Sequence, residues 1–386
     1  MFISHLSLTD FRNYRHLELS LPPCLVVIQG DNAQGKTNLL EAVLVLAISK
    51  SHRASSDRDL VYRNADADSQ PFARLVAEVQ RERGEIKVEI VLRGEGAAFP
   101  AEPASVLVRK RIRVNGIYRR AVDLVGQVNA VIFSAQDIDL TGGTPSLCRR
   151  YLDSVSSQTD SLYLRSLQQY QKVLLQRNHL LRLLQEHRAK PEQLEFWDQE
   201  LVESGSYLIR HRQHLVASLN ELAEGTHQEL SGGRERLKIV YLPSVGKEGE
   251  KPGEIQSEFH QALHRLRGKE IGQGMTLAGP HRDNLQFEVD GADVGRYGSR
   301  GQQRTTVLSL KLAEAKYIHT RAGDSPILLL DDVLSELDQA RCQHLLEFIL
   351  PFQQALITTT DLDRFEPSIL ARASQFKVRQ GNVEII

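Results

Sequence analysis

The sequence predicts an α/β protein carrying an inserted α-helical domain, and three observations predict it. A short apolar run, Leu25-Val26-Val27-Ile28, leads through a glycine-bounded loop into a helical stripe, the pattern of a buried strand feeding a helix. From about Asp160 the period changes: Leu167, Leu174 and Leu181, then Leu201, Leu208, Leu215 and Leu222, recur every seventh residue. From about Met275 the α/β pattern returns and includes another strand-sized apolar run, Ile327-Leu328-Leu329-Leu330. The expected division is therefore 1–145 and 275–386 for the two parts of the α/β domain and 146–274 for the insertion.

Taken in order, residues 2–21 read as two strands. Ile3, Leu6 and Leu8 mark the first, and Leu17, Leu19 and Leu21 alternate along the second. The run Leu25–Ile28 is a third strand. A helix is expected over about 38–48, where Leu39, Leu40, Val43, Leu44 and Ala47 share a stripe. FARLVAEV, EIKVEIVL, SVLVRKRIRV and NAVIFS, within 72–134, read as further strands, with a turn-like segment over 93–103. Beyond Asp160, two amphipathic helices of about 25 residues, each ~35–40 Å long, would pair antiparallel around a turn at Lys190-Pro191. They form either a helical subdomain or a protruding arm. Residues 243–254 are a polar Gly/Pro-rich loop, and a helix ending near Arg321 is expected to bury Leu308, Leu312 and Ala315.

The chain has 386 residues, 41% hydrophobic and 25% charged, which excludes wholesale disorder. Lys and Arg number 48 against 49 Asp and Glu, so attraction to nucleic acid must come from local patches. Cys24, Cys148 and Cys342 lie too far apart for a disulfide framework or a zinc spacing and read as free core thiols. The N-terminal stretch alternates apolar and polar residues, unlike a signal peptide, and no apolar run approaches a membrane span. A soluble, cytoplasmic protein is expected.

Gly30-Asp31-Asn32-Ala33-Gln34-Gly35-Lys36-Thr37 matches GxxxxGKT between a buried strand and a helix, as a phosphate loop requires. Its glycines let backbone amides turn towards phosphates, Lys36 would pair with the β/γ-phosphates, and the Thr37 hydroxyl would ligate Mg²⁺. The run Ile327–Leu330 ends in Asp331-Asp332. Asp331 is placed to hold Mg²⁺, and Asp332 to polarise an attacking water. Ser299-Arg300-Gly301-Gln302-Gln303 precedes a helix and would form a second anion-reading helix start.

SRGQQ resembles the signature loop of ABC-type ATPases, ILLLDD their Walker B and Ser335-Glu336-Leu337-Asp338 their D-loop. Within that class the chain resembles the RecF family, relatives of Rad50 and SMC heads. DFRNY (10–14), GDNAQGKTNLLEA (30–42), KSHR (50–53), GPHRD (279–283), GQQRT (301–305) and LLLDDVLSELD (328–338) carry the resemblance over nearly the full length. It implies an ABC-type P-loop ATPase head of mixed sheets and helices with an inserted helical domain. It also implies an ATP- and Mg²⁺-dependent head-to-tail homodimer, in which Ser299, Gly301 and Gln302 meet ATP held by the partner, Asp338 lies at the seam and Gln136 stands at the Q-loop. The partners it implies are gapped or junction DNA, RecR, RecO and RecA, in recombinational gap repair, replication and the SOS response. Gln136 sits in Phe133-Ser134-Ala135-Gln136-Asp137 where the family pattern resembles FSPED. Asp332 replaces a glutamate and Thr358-Thr359-Thr360-Asp361 replaces a switch histidine, so slow hydrolysis is expected, with ATP acting as a switch.

Between Pro103 and Val122 stand six basic residues and no acid. On a strand, Arg109, Arg111 and Arg113 share one face, which is either a stripe for DNA phosphates or a solvated sheet surface. No base-reading module is recognisable, so backbone contacts to DNA are expected. The competing readings are the ATPase subunit of an ABC transporter, which leaves 160–222 and GPHRD unexplained, and a phosphotransferase or GTPase, which leaves SRGQQ unexplained.

Overall fold

The computed structural model describes residues 1–62, 71–95, 107–246 and 252–386. The turn-like segment 93–103 lies largely outside the described residues, as do 247–251 of the polar loop. The chain forms two compact units, residues 1–137 with 318–386 and residues 138–317.

The first unit contains two six-stranded sheets. In the antiparallel one the strands run Tyr14–Ser20, Phe2–Phe11, Phe72–Arg81, Gly84–Glu95, Leu107–Val114, Ile117–Arg119. Alternation places Leu6, Leu8, Leu75, Ala77, Val88, Ile90 and Ile112 on its buried face. The other sheet runs Asn382–Ile385, Ser374–Arg379, Leu25–Gln29, Ala355–Thr359, Ile327–Asp331, Ala130–Ser134, parallel except at its first strand. NAVIFS therefore leaves the meander formed by its sequence neighbours and pairs with ILLLD, with Ser134 opposite Asp331. The helix Lys36–Ile48 is apolar around most of its circumference, and it shares one buried core with residues of both sheets.

The second unit holds the heptad-spaced helices, Ser161–Gln185 and Leu194–Ser231. The second has 38 residues because its apolar stripe continues past Leu222 through Ala223 to the buried Thr226 and His227. The turn between them is a short 3₁₀ segment, Pro191–Gln193. A third helix, Pro252–Gln273, packs against both, joining Tyr163, Tyr170, Leu201, Leu208, Ile255, Phe259 and Leu263 in one core. The hairpin is thus covered along its apolar side. The strands Leu237–Leu242, Asn284–Val289 and Ala292–Asp293 make a small antiparallel sheet in this unit. The helix Arg300–Ala322 follows, with Leu308, Leu312 and Ala315 buried as expected. Among the described residues no helix is long and apolar enough to cross a membrane.

Candidate nucleotide site and signature loop

The strand Leu25–Gln29 delivers the chain into the loop Gly30–Gly35, and the helix Lys36–Ile48 leaves it. Gly35 has φ 117°, and a Cβ there would lie 2.5 Å from the Asn13 amide nitrogen, so glycine alone fits. The helix has no side-chain cap, and its first N–H groups have no intrahelical acceptor. Buried Lys36 donates from Nζ to the Gly30 and Asp31 carbonyls at 2.5 and 2.9 Å. Burial lowers its pKa against the pull of Asp332, Asp331 and Asp31. A cation held at the mouth of an uncapped helix start fits phosphate oxygens.

The segment DFRNY braces this loop. Tyr14 donates from its hydroxyl to the Gly35 carbonyl at 3.0 Å, and Asn13 Nδ2 to the Gln34 carbonyl at 2.9 Å. The Asn13 oxygen accepts from Asn38 Nδ2 at 2.8 Å. Arg12 grips the fully buried Glu41 through Nε and Nη2, at 2.8 and 2.7 Å, and donates from Nη1 to the Asp59 carbonyl at 2.6 Å. Burial pushes the Glu41 carboxyl up, but hydrogen bonds from Arg12 and Ser51 outweigh it and hold it below the usual carboxylate range. Gln34 is tied further by the N–H groups of Gly381 and Gln380.

Asp331 and Thr37, 294 residues apart in sequence, meet through a 2.9 Å hydrogen bond from the Thr37 hydroxyl to Asp331 Oδ1. Thr358 donates to the same oxygen at 2.9 Å and accepts from the Asp332 N–H at 3.0 Å. A hydroxyl and a carboxylate oxygen are the donors a hard dication takes, and Mg²⁺ needs few protein ligands when phosphates supply the rest. Asp332 is half-buried with φ 52°, in the left-handed region that aspartate tolerates. Burial pushes its carboxyl up, opposed by Lys36. Gln136 is exposed, two residues past Ser134 on the neighbouring strand and so off the same sheet edge as Asp331. Asp31, Asn32 and Ala33 form the exposed outer arc of the loop.

Asp338 caps the helix Gln339–Ile349, accepting from the Arg341 N–H at 2.9 Å and pairing with the Arg341 guanidinium. In the second unit, Ser299 and Gln302 close a capping box at the start of Arg300–Ala322. Ser299 N–H donates to Gln302 Oε1 at 2.9 Å and Gln302 N–H to Ser299 Oγ at 3.2 Å. The S-x-x-Q spacing was the available signal for this box. Gly301 is exposed one turn ahead of Thr305, which donates to its carbonyl at 2.8 Å.

GPHRD acquires a structural role. Gly279 has φ 125°, and a Cβ there would lie 2.5 Å from the Tyr170 hydroxyl. His281 Nδ1 pairs with that hydroxyl at 2.6 Å, and Nε2 donates to the Thr276 carbonyl at 3.1 Å. Burial lowers the imidazole pKa to about 4. The buried Asp283 accepts from Arg212 Nη1 at 3.1 Å, the Ser244 N–H at 2.8 Å and the Tyr241 hydroxyl. Arg212 also donates to the Pro280 carbonyl at 2.7 Å. The run thus locks both long helices to the small sheet.

Arg109 and Arg111 are exposed on the outer face of the antiparallel sheet, with Arg93 opposite Arg109. Arg113 is on that face too, but its guanidinium meets Glu89 at 3.2 Å and stacks over Tyr118. The sequence stripe is thus brought together, with its third member engaged within the sheet.

The RecF/RecN/SMC N terminal domain family matches residues 2–381. The DNA replication and repair protein RecF of Herpetosiphon aurantiacus is 46% identical over 389 residues, 99% of each chain. That of Chloroflexus aggregans is 45% identical over 393 residues, again 99% of each. The chain belongs to the RecF family. A solved structure of the recombination mediator protein RecF with ATP in the RecFOR pathway superposes with TM-score 0.88 at 31% identity, covering 100% of this chain and 97% of that one. A SMC head bound to the C-winged helix domain of ScpA shares the fold, with TM-score 0.55 at 15% identity over 100% of this chain and 97% of that chain. The fold is accordingly an ABC-type ATPase head with a helical insertion. Membership in a family of DNA replication and repair proteins sets the transporter reading aside.

Proposed function

We propose that this chain is an ATP-switched DNA-binding protein of recombinational gap repair, replication and the SOS response, working in the cytoplasm. The observation that carries the reading is the Thr37–Asp331 hydrogen bond, which joins the phosphate-loop helix to the end of the ILLLD strand. In this reading Gly30–Thr37 hold the phosphates of ATP, and Thr37 and Asp331 hold Mg²⁺, with Gln136 beside them. Bound Mg²⁺ would neutralise charge on the β/γ-phosphates. Asp332 and Gln136 orient water. Ser299, Gly301 and Gln302 cap the nucleotide of a second copy of the chain, and Asp338 lies at that seam. In this reading residues 1–145 and 275–386 form the ATPase head and 146–274 the inserted helical domain. ATP acts chiefly as a dimerisation switch with slow turnover, since the side chain assigned to orient water is an aspartate whose charged form burial disfavours.

Arg109 and Arg111, with Arg113 beside them, contact DNA backbone at a single-strand/duplex junction, and RecR, RecO and RecA are the partners in loading RecA. The relatives' names support a role in DNA replication and repair, and the recombination-mediator structures one in the RecFOR pathway. The test is fluorescence anisotropy of a labelled gapped duplex titrated with protein in ATP·Mg²⁺, ADP·Mg²⁺ and no nucleotide. Tight binding only with ATP, lost steeply with salt, is expected. Equal or absent binding in all three conditions would break the link between nucleotide and DNA.

A further inference from the structure

We propose that Glu235 is a positioning residue for the signature serine, acting through Gln302. The inference rests on the trans-capping role given to Ser299 above. Gln302 is engaged at both ends of its carboxamide. Oε1 accepts from the Ser299 N–H at 2.9 Å, and Nε2 donates to Glu235 Oε1 at 3.0 Å. The terminal torsion of a glutamine is broad and roughly two-fold, and the capping box alone sets it with one hydrogen bond. Turned over, the amide would present its NH₂ to the Ser299 N–H, a donor facing a donor. A carboxylate at the other end permits only one orientation, because it accepts and cannot donate. Glu235 thereby reinforces the orientation in which Oε1 of Gln302 faces Ser299.

Glu235 also approaches the fully buried His227, its Oε2 lying 3.3 Å from Nε2, a contact that becomes an ion pair when the ring is protonated. The other ring nitrogen, Nδ1, is 3.1 Å from Ser309 Oγ on the same helix that Ser299 caps. Ser309 donates to the Thr305 carbonyl at 2.8 Å, and Thr305 to the Gly301 carbonyl at 2.8 Å. The bracket therefore grips the signature helix at its cap and again near Ser309. Its other side belongs to the end of the long helix Leu194–Ser231, which closes on Gly232 and Gly233 at φ 65° and 74° just before Glu235. A shift of that helix end moves His227 and Glu235 together and releases the Gln302 amide. An event on the helical insertion can in this way reach Ser299 without touching nucleotide.

The experiment compares wild type, Glu235→Ala, Glu235→Gln and Ser299→Arg. Hydrogen exchange of the Ser299 and Gln302 amides is read in nucleotide-free protein, nucleotide binding by a fluorescent ATP analogue, and dimerisation by sedimentation with ATP or ADP. Glu235→Ala should speed Ser299 amide exchange about tenfold and weaken the ATP-driven dimer about tenfold, with nucleotide affinity unchanged. Glu235→Gln keeps an acceptor for Gln302 Nε2 but adds a donor that tolerates the turned amide, so it should fall between wild type and Glu235→Ala in both. If Glu235→Ala matches wild type in exchange and in dimerisation, the inference is overturned. If wild type itself does not dimerise with ATP, the trans-capping reading fails, while the exchange measurement still decides whether Glu235 orients Gln302. Should Glu235→Ala lose its cooperative melt, Glu235→Asp, one methylene short of Gln302, takes its place with the same two outcomes.

Discussion

The helix Lys36–Ile48 begins without a side-chain cap, whereas Arg300–Ala322 begins with a closed box of Ser299 and Gln302. Both are helix starts next to glycine, and both read in the sequence as anion sites. At the first, protein donors take up the loop's carbonyls. Tyr14, Asn13 and Lys36 bond to Gly35, Gln34 and Gly30, and the helix N–H groups are left to a ligand. At the second, the chain satisfies the Ser299 and Gln302 N–H groups itself, and Ser299 Oγ accepts within the box. The difference teaches that two helix starts of similar sequence can be left open or self-capped by the residues around them.

The largest expected effect tests how the first site is braced. Arg12→Ala leaves Glu41 buried without its cation and should destabilise the first unit by about 3–5 kcal/mol, read by urea denaturation. A loss below about 1 kcal/mol would mean that the DFRNY segment does not hold the loop. Next, Lys36→Ala removes the charged donor and should weaken ATP binding about a hundredfold with an unchanged circular dichroism spectrum. Binding within threefold of wild type would show that the uncapped helix start suffices alone.

The third prediction concerns the joint behind the second site. His281 is neutral in the folded state down to about pH 4, against 6.5 ordinarily. As pH falls through 6.5 the unfolded chain takes up a proton that the folded chain refuses. Its contribution is therefore complete above that value and is lost towards pH 4, by about 3 kcal/mol. His281→Gln should flatten the melting temperature against pH over this window, and an unchanged slope would assign the acid sensitivity elsewhere. The smallest effect is at the cap itself. Ser299→Ala should cost about 1 kcal/mol of local helix stability, seen as faster amide exchange over the first turn. If exchange there is unaltered, the two helix starts do not differ in the way described.

Much of the fold was legible because backbone geometry imposes periods on the sequence. Leu17, Leu19 and Leu21 alternate as a strand requires, and the heptad leucines repeat as paired helices require. The length of Leu194–Ser231 was not, since its last turns bury Thr226 and His227 instead of continuing a leucine pattern. Nor was the helix Pro252–Gln273, whose apolar residues matter only against partners it meets in space. At the site, GxxxxGKT and the Asp pair were readable because phosphate chemistry fixes residue types at fixed spacing. Thr358 was not, because a threonine in an apolar strand carries no mark of the carboxylate it will meet.

By itself the sequence determined the strand–loop–helix that carries Lys36 and Thr37, the acid at the end of ILLLD and the serine–glycine start of the signature helix. Each is a local pattern, set by side-chain period or by residues a few positions apart. Tertiary structure alone decided that Arg12 braces Glu41, that Asp283 anchors Arg212, that NAVIFS joins the parallel sheet and that Glu235 holds Gln302. These are pairings of polar groups or strands distant along the chain. No local period encodes them, and they exist only once the apolar faces have packed and brought each buried donor within reach of its acceptors.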